Sequence, residues 1–549
     1  MLGLSPKALS PLALLVGCAG ALLGTSPVLA QPGKTPPAAA SKAGATKDWW
    51  RDAVWYTIDI RSFADRSVGK SSQDGNGEFL GAADHVSYLN DGDAAKGGDL
   101  GVKGVRIVMP LQADKAQRGV MDYYSTDLTL GSAEDLKTLI SECHSRGVRV
   151  VIDLPVASTS AEHPWFKEAS SANSPMRSWY VWSGAMPAGG EKSWFKAEDG
   201  SAYYLATGGK DFPRLNIANP EVTASLVEAA KFWLIDQEAD GVCLVGAGEV
   251  AAGQNGAHAD GAAGQKWLAD LTGAIKRARS TAVVFAEGFS ASDAAKTPAA
   301  AADAVLSHET VRTIAESIRS GDAAAIIAAA QPGAGATPMV AMGSPEAGRV
   351  ASILGGDAAL QKVAATVYLT LPGVSSVYYG EELGMGAKSS TPRAIMQWKD
   401  SENAGFGPAK PWQEIGSDVK TVNVESQAKD EHSVLATCKR LVKLRQESAA
   451  LSRGQFTPVV ADHASVLAYL RHQGEDVYMV IANLGEQPLT EYALTLTTSP
   501  LRGTMDVADV TGSKGLSAVL SPEGGFSDYR PLDRIEGRTA YVLKLSAKK

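Results

Sequence analysis

The sequence predicts an α/β fold: a (β/α)8 TIM barrel with a subdomain inserted after strand 3 and a C-terminal antiparallel β-sandwich. Short β-branched runs alternate with longer helical patterns from residue 54 to about residue 379, which is typical of βα units on a parallel sheet. A long polar segment rich in tryptophan interrupts this alternation once. After about residue 451 apolar and polar residues alternate without intervening helices, which indicates antiparallel strands.

Eight strand-like runs predict the barrel. Each run is short and rich in valine and other apolar residues, as expected for parallel strands that are buried on both faces. In a barrel of this kind the active site lies at the C-terminal ends of the strands. The runs are residues 54–60, 105–110, 148–154, 241–245, 283–287, 304–306, 339–342 and 374–379.

Two further segments complete the predicted domain organisation. Residues 157–213 are too long for an ordinary βα loop, so we expect a subdomain that overhangs the strand ends. The helical pattern of residues 433–451 predicts the last barrel helix, and the barrel domain therefore spans residues 48–451. Alternating runs at 466–470 and 477–481 predict a β-sandwich over residues 452–549.

The N-terminus predicts export. Residues 1–30 combine Lys7, an apolar stretch and a small residue at Ala30, which is the pattern of a signal peptide. The apolar stretch is short and contains Pro11, so we expect no transmembrane helix in the mature chain, and residues 31–47 resemble a Pro/Ala-rich linker. We predict a periplasmic or extracellular protein. The run ending at Cys18 also resembles a bacterial lipobox, which would make a lipoprotein anchored through Cys18.

Charge and cysteine content exclude other classes. The formal net charge is −8 and the lysines and arginines are not clustered, so we expect no nucleic-acid partner. Cys143, Cys243 and Cys438 are odd in number and widely spaced, which does not form a disulfide framework. We expect them to be buried free thiols.

A series of motifs in fixed order points to one family. The motifs resemble glycoside hydrolase family 13, the α-amylase family, in its oligo-1,6-glucosidase, trehalose-synthase and secreted bacterial α-amylase branches, over nearly the whole mature chain. The resemblance implies a protein of carbohydrate metabolism with an α-glucan or oligosaccharide ligand. The motifs are Val54-Trp55-Tyr56, Arg61-Ser62-Phe63-Ala64-Asp65, Asp122-Tyr123-Tyr124, His163-Pro164-Trp165-Phe166, Tyr378-Tyr379-Gly380-Glu381-Glu382 and Met396-Gln397-Trp398.

One of the family's two catalytic carboxylates is retained. Retaining glycosidases of this type use a nucleophile and an acid/base about 5–5.5 Å apart. The resemblance places the acid/base at Glu287, at the end of the fifth strand. We expect its apolar surroundings to raise the pKa of Glu287, as a proton donor requires.

The nucleophile is not retained. The resemblance places the nucleophilic aspartate at Val245 and the family's arginine at Cys243. Between Asp240, before the strand, and Glu249, after it, there is no carboxylate, so a shift of register does not restore one. Loss of both residues together is physically reasonable. If only the aspartate were lost, the buried guanidinium would be an uncompensated charge.

The remaining substrate-binding positions are partly retained. On the third strand Asp153 is kept, but the family's histidine is replaced by Ser158. After the seventh strand Glu346 stands at the third carboxylate position and is followed by Arg349. The family's aromatic platform falls near Arg118, so sugar stacking is weakened.

No cofactor is expected, with one weak metal alternative. Asp74 and Asn76 lie in a short loop that resembles the calcium loop of the family branch, although a solvated turn is the preferred interpretation. His308 has no ligand-type neighbour at metal-binding spacing, so we expect no metal centre there.

Three functions follow from these residues. The first is an inactive or strongly impaired member of the family whose barrel mouth or subdomain binds an α-glucan or another ligand without turnover. The second is an active α-glucan hydrolase or transglycosylase that uses Glu287 with a displaced carboxylate, Glu346 or Glu249. The third is a non-catalytic interaction scaffold with an envelope protein partner. We prefer the first, narrowly over the third.

Overall fold

A computed structural model describes residues 48–66, 74–115, 117–253, 261–331, 333, 335–386, 389, 391–510 and 515–548. These residues all belong to one compact unit, Lys42–Lys549. The predicted signal peptide, the Pro/Ala-rich linker and Cys18 lie outside the described residues. None of the helices in the described ranges has both the length and the apolar character that a membrane span requires.

The strands are given in chain order. They are β1 (Trp55–Ile58), β2 (Gly104–Ile107), β3 (Leu111–Ala113), β4 (Val120–Thr126), β5 (Arg149–Pro155), β6 (Trp182–Ser183), β7 (Trp194–Lys196), β8 (Tyr203–Leu205), β9 (Gly241–Val245), β10 (Val283–Phe289), β11 (Ala304–Ser307), β12 (Thr337–Met342), β13 (Val374–Tyr378), β14 (Gln455–Pro458), β15 (Val460–Ala461), β16 (Val466–Gln473), β17 (Asp476–Asn483), β18 (Leu494–Leu496), β19 (Thr504–Asp509), β20 (Ala518–Val519), β21 (Phe526–Tyr529) and β22 (Thr539–Ala547).

The α-helices follow the same order. They are α1 (Ile60–Phe63), α2 (Phe79–Asp84), α3 (Val86–Leu89), α4 (Ala133–Ser145), α5 (Pro164–Ala169), α6 (Pro220–Lys231), α7 (Ala247–Ala251), α8 (Gly261–Ala278), α9 (Ala291–Lys296), α10 (His308–Ser320), α11 (Ala323–Ala330), α12 (Val350–Ile353), α13 (Ala358–Thr370), α14 (Val424–Gln427), α15 (Val434–Glu447) and α16 (Ala449–Arg453).

The predicted barrel is confirmed. Strands β1, β2, β5, β9, β10, β11, β12 and β13 close into one barrel of parallel strands, and each overlaps one of the eight predicted runs. The strands β1 and β13 are buried along their whole length, as the apolar runs require. The helices lie between successive strands, so the C-terminal strand ends all open on the same side of the barrel.

The segment after the third barrel strand contains a small sheet of its own. Strands β6, β8 and β7 pair in that order within residues 157–213. Two tryptophans of this segment pack on other aromatic rings: Trp182 stacks on Phe166 at 5.8 Å between ring centroids, and Trp179 lies 4.8 Å from Trp165. These side chains form the core of the insertion.

The C-terminal region consists of two antiparallel sheets. One has the order β14-β16-β17-β22-β19-β20 and the other β15-β18-β21, and a separate hydrophobic cluster lies within this region. The predicted last barrel helix differs in one detail, because α15 and α16 are separated at Ser448. Ser448 has an extended backbone, and its hydroxyl accepts a hydrogen bond from the Leu451 amide to begin the second helix.

Candidate functional site at the barrel mouth

The C-terminal strand ends open on a pocket of about 320 Å³. Its position is the one that the barrel fold predicts for a ligand site. The fold therefore gathers side chains that are up to about 230 residues apart in the sequence. The predicted site residues that line this pocket are Arg118, Asp153, Ser158, Val245, Glu287 and Glu346.

A buried arginine beneath the pocket binds two of these carboxylates. Arg106 on β2 is only 4% exposed. Its Nε donates a hydrogen bond to Asp153 Oδ1 at 2.7 Å, and its Nη1 lies 2.6 Å from Glu287 Oε2. Sequence reasoning missed Arg106, although a charged residue within the apolar run of β2 was a detectable signal.

Arg106 supplies a positive charge beside Cys243, where the resemblance places the family's arginine. Cys243, at the family's arginine position on β9, is a buried thiol in register with Asp153 on β5 and Phe285 on β10. The guanidinium of Arg106 reaches the same carboxylates from β2. Without it, Asp153 and Glu287 would be buried charges with no compensating cation.

The Arg106 ion pair decides the protonation of Glu287. Burial alone would raise the pKa of Glu287, but Arg106 and then His308 hold it below its ordinary value. The prediction that the strand end raises the pKa of Glu287 is therefore wrong. For Asp153 burial prevails over Arg106, and the pKa is raised to about 7.

The predicted nucleophile position presents an apolar side chain to the pocket. Val245 ends β9 and lines the mouth. The next carboxylate along the chain, Glu249 on α7, also lines the mouth and forms an ion pair with the buried Arg214. Glu249 is therefore already engaged by a cation.

Glu346 lies beside Glu287 and a histidine. One ligand-type atom from each of Glu287, His308 and Glu346 lies within 4.8 Å of the others. Desolvation at the mouth, and then the charge of Glu287, raise the pKa of Glu346 to about 7, although half of that side chain is exposed. His308 begins α10 directly after β11. The spacing of His308 from Glu287 and Glu346 in the sequence does not indicate that they are close. The barrel fold brings them together.

Arg349 is placed away from the pocket. It is fully buried, its Nη1 donates to the Tyr379 carbonyl oxygen at 2.8 Å, and the same nitrogen lies 3.5 Å from Glu381 Oε1. Arg349 is not among the residues that line the mouth. In this structure it holds the barrel wall together instead of facing a ligand.

The wall of the pocket on the side of the insertion combines a cation and an aromatic ring. The guanidinium of Arg118 lies 4.9 Å from the centre of the Phe212 ring, and both residues line the mouth. Ser158 lies on the same side and pairs with Arg214 through a β-bridge. Phe212 was missed in the sequence, where the family's platform was sought near Arg118 instead.

The loop with Asp74 and Asn76 does not fit a calcium ion. Asn76 Oδ1, which would be a ligand, accepts a hydrogen bond from Arg61 Nε at 2.6 Å. Asp74 Oδ1 accepts from the Asn76 amide at 2.9 Å, which closes a local turn. A calcium ligand directed at a guanidinium is not available to a second cation.

Comparison with known proteins agrees with the architecture. The family model described as alpha amylase, catalytic domain, matches residues 61–454. "Alpha-amylase 3" of Dictyoglomus thermophilum is 26% identical over 454 residues, covering 80% of this chain and 86% of that protein. "Oligo-1,6-glucosidase" of Parageobacillus thermoglucosidasius is 25% identical over 527 residues, covering 80% and 91%. The crystal structure of an alpha-amylase from H. orenii superposes with a TM-score of 0.72 at 26% identity, covering 90% of this chain and 99% of that one.

Proposed function

The chain belongs to the α-amylase family of glycoside hydrolases, and from that premise we propose that it has lost ordinary retaining glycosidase activity and binds a glycan at the barrel mouth. The observation that carries this proposal is the combination of Val245 at the nucleophile position with the Arg106–Glu287 ion pair. The valine side chain cannot attack a sugar. The guanidinium keeps the retained carboxylate ionised, so it is a poor proton donor at neutral pH.

The loss of activity follows from both halves of the reaction. Double displacement needs a nucleophile on one face of the sugar and a protonated acid at the glycosidic oxygen. Removal of a nucleophile alone lowers kcat by several orders of magnitude. The mouth nevertheless remains a concave, polar pocket, with Arg118, Phe212 and Glu346 available to contact a bound sugar.

The test is a joint measurement of binding and turnover on the purified protein. Maltooligosaccharides, isomaltose, trehalose and starch are incubated with the protein and products are followed by mass spectrometry, while binding is measured by calorimetry. We expect saturable binding of at least one glycan and no product. Turnover that Glu287→Gln abolishes would overturn the proposal.

One observation favours a second candidate, an enzyme with a displaced carboxylate. Glu287 and Glu346 each offer an oxygen within 4.8 Å of the other, and their pKa values are shifted in opposite directions. Such a split is typical of an acid and base pair. In this enzyme Glu346 would be the protonated partner. Turnover that both Glu346→Gln and Glu287→Gln remove, and Glu249→Gln leaves, would establish it.

We also propose that the protein is exported, with an envelope partner as the alternative to a glycan ligand. Residues 1–30 support cleavage by a signal peptidase, and Cys18 supports lipidation as the alternative. The intact mass of protein from a bacterial host separates a chain starting after residue 30 from one carrying a lipid on Cys18. If no glycan binds, a partner that co-purifies after cross-linking in the envelope would favour the scaffold function.

A further inference from the structure

Three potential metal ligands converge at the barrel mouth. Glu287 ends β10, His308 follows β11 and Glu346 follows β12, so they come from three adjacent barrel strands. One ligand atom from each lies within 4.8 Å of the other two. His308 Nε2 and Glu346 Oε2 are 3.9 Å apart, which is too long for a hydrogen bond. Two ligands of a tetrahedral Zn²⁺ lie about 3.4 Å apart, so a small side-chain shift would bring this pair to a common ion.

The buried member of the set is incompletely satisfied. Glu287 is only 3% exposed, and its Oε2 is occupied by the Arg106 ion pair. Apart from Arg106, no hydrogen-bond partner of Glu287 is found among the described residues. A buried carboxylate oxygen without a partner is unfavourable. Glu287 also lines the pocket, so a cation bound there would share this carboxylate with Arg106.

The histidine is held in an orientation that suits a metal. His308 Nδ1 lies 3.1 Å from Ser344 Oγ, which itself accepts a hydrogen bond from the Ala347 amide at 2.8 Å. Ser344 Oγ can accept a hydrogen bond from His308 Nδ1–H, and in that tautomer Nε2, 3.9 Å from Glu346 Oε2, carries the lone pair. A fixed partner on the second ring nitrogen is a regular feature of metal-binding histidines.

The charges around the set leave room for a cation. Asp153 and Glu287 share the guanidinium of Arg106 as their buried counter-charge, and the half-exposed Glu346 lies beside Glu287. Two other charged pairs at the mouth are internally balanced, because Glu249 binds Arg214 and Arg393 lies 3.3 Å from Asp59. When all three carboxylates are ionised they exceed the charges of Arg106 and Arg118 by one, and a bound cation would offset that excess.

We propose that Glu287, His308 and Glu346 bind a divalent transition-metal ion, with Zn²⁺ as the reference ion. One imidazole and two carboxylates are ligands that Zn²⁺ accepts. The pocket leaves the remaining coordination positions open to water or to a ligand oxygen, as in a zinc site with three protein ligands. This inference does not depend on glycan binding. A glycan titration in the presence of EDTA tests glycan binding without bound metal, so either proposal can fail while the other holds.

The experiment titrates the EDTA-treated and dialysed protein, without a histidine tag, with Zn²⁺ against a chromophoric chelator. We expect saturation at one Zn²⁺ per chain. His308→Ala and Glu346→Gln should each weaken binding by at least about tenfold. Co²⁺ in place of Zn²⁺ should give visible absorption bands that both variants lose.

A matched control uses another histidine and glutamate pair. His432 and Glu431 lie 3.7 Å apart on the exposed surface, outside the barrel mouth. His432→Ala should bind Zn²⁺ as the wild type does. Because Glu346 is half exposed, Glu346→Gln is expected to fold, and its circular dichroism melting curve verifies this. Absence of stoichiometric binding, or binding that His308→Ala and Glu346→Gln leave unchanged, would overturn the proposal.

Discussion

Arg106 Nη1 lies 2.6 Å from Glu287 Oε2, and both side chains are almost completely buried. This contact joins the second barrel strand to the fifth across the interior of the barrel. It gives Glu287, the carboxylate at the predicted acid/base position, a structural role as the counter-ion of a buried arginine. A glutamate that is held ionised in this way contributes to stability and is unsuited to donating a proton.

Replacement of Arg106 should destabilise the barrel. Arg106→Leu leaves Asp153 and Glu287 buried without their cation, and removal of one partner of a buried ion pair costs about 3–5 kcal/mol. We expect a loss of that size in the free energy of unfolding, measured by urea denaturation at pH 7. The control is Arg534→Leu, which removes an exposed ion pair with Glu536 and should leave the midpoint close to that of the wild type. Equal midpoints for Arg106→Leu and the wild type would contradict the structural role of Arg106.

The buried Glu381 should make stability depend on pH. Burial raises the pKa of Glu381 from 4.5 to about 8. Between these two values the folded chain binds a proton that the unfolded chain releases, so the free energy of unfolding falls as the pH rises. Glu381→Gln cannot titrate, and its unfolding midpoint should fall less steeply from pH 5 to pH 8.

The control for this effect is an exposed carboxylate. Glu191 lies on the surface of the insertion, and Glu191→Gln should keep the wild-type slope. A wild-type slope in Glu381→Gln would show that other carboxyl groups, such as Asp153, account for the pH dependence.

Phe212 should contribute to glycan affinity if the mouth binds sugars. Its ring is part of the pocket wall and is only partly covered by Arg118. Loss of one aromatic contact of about 1.4 kcal/mol corresponds to a tenfold weaker affinity. We expect about this change for Phe212→Ala by calorimetry. Tyr124→Ala, which removes an exposed aromatic ring away from the pocket lining, should bind as the wild type does.

The three cysteines of the described part should be unreactive in the native protein. Cys143, Cys243 and Cys438 are free and buried, and burial raises the pKa of each thiol. A thiol with a raised pKa forms little thiolate, which is the reactive species. Titration with a thiol reagent should detect none of these three before unfolding and all three afterwards. Fast native modification at Cys243 would indicate that the strand β9 opens.

Several features of the site could be predicted from the sequence because they depend on strand order alone. The position of Glu287 at the end of the fifth strand and of Val245 at the end of the fourth follow from the motif order, and the structure places both at the mouth. The environment of Glu287 could not be predicted in the same way. Its pKa depends on Arg106, which is 181 residues away in the sequence and meets it only when the barrel closes.

The neighbours of His308 could not be predicted from the sequence for the same reason. In the sequence it stands alone, and no spacing rule for metal ligands applies to residues from three separate strands. The barrel brings His308 to Glu287 and Glu346 because adjacent parallel strands end at the same edge. Arg349 is a residue for which the sequence predicted a contact that the structure lacks. It follows Glu346 closely in the sequence, which suggested that it binds the ligand. In the structure it is buried against Glu381 instead.

The sequence by itself determined the barrel, the antiparallel C-terminal region and the family, and it places a valine, Val245, at the predicted nucleophile position. These properties are set by local periodicity and by which residue occupies a given strand end. Only the tertiary structure decided which polar groups come together: Arg106 with Glu287 and Asp153 in the barrel interior, and His308 near Glu346 at the mouth. Electrostatic interactions act across space between groups that are distant in the chain, so the protonation and ligand chemistry of the site emerged only from the closed fold.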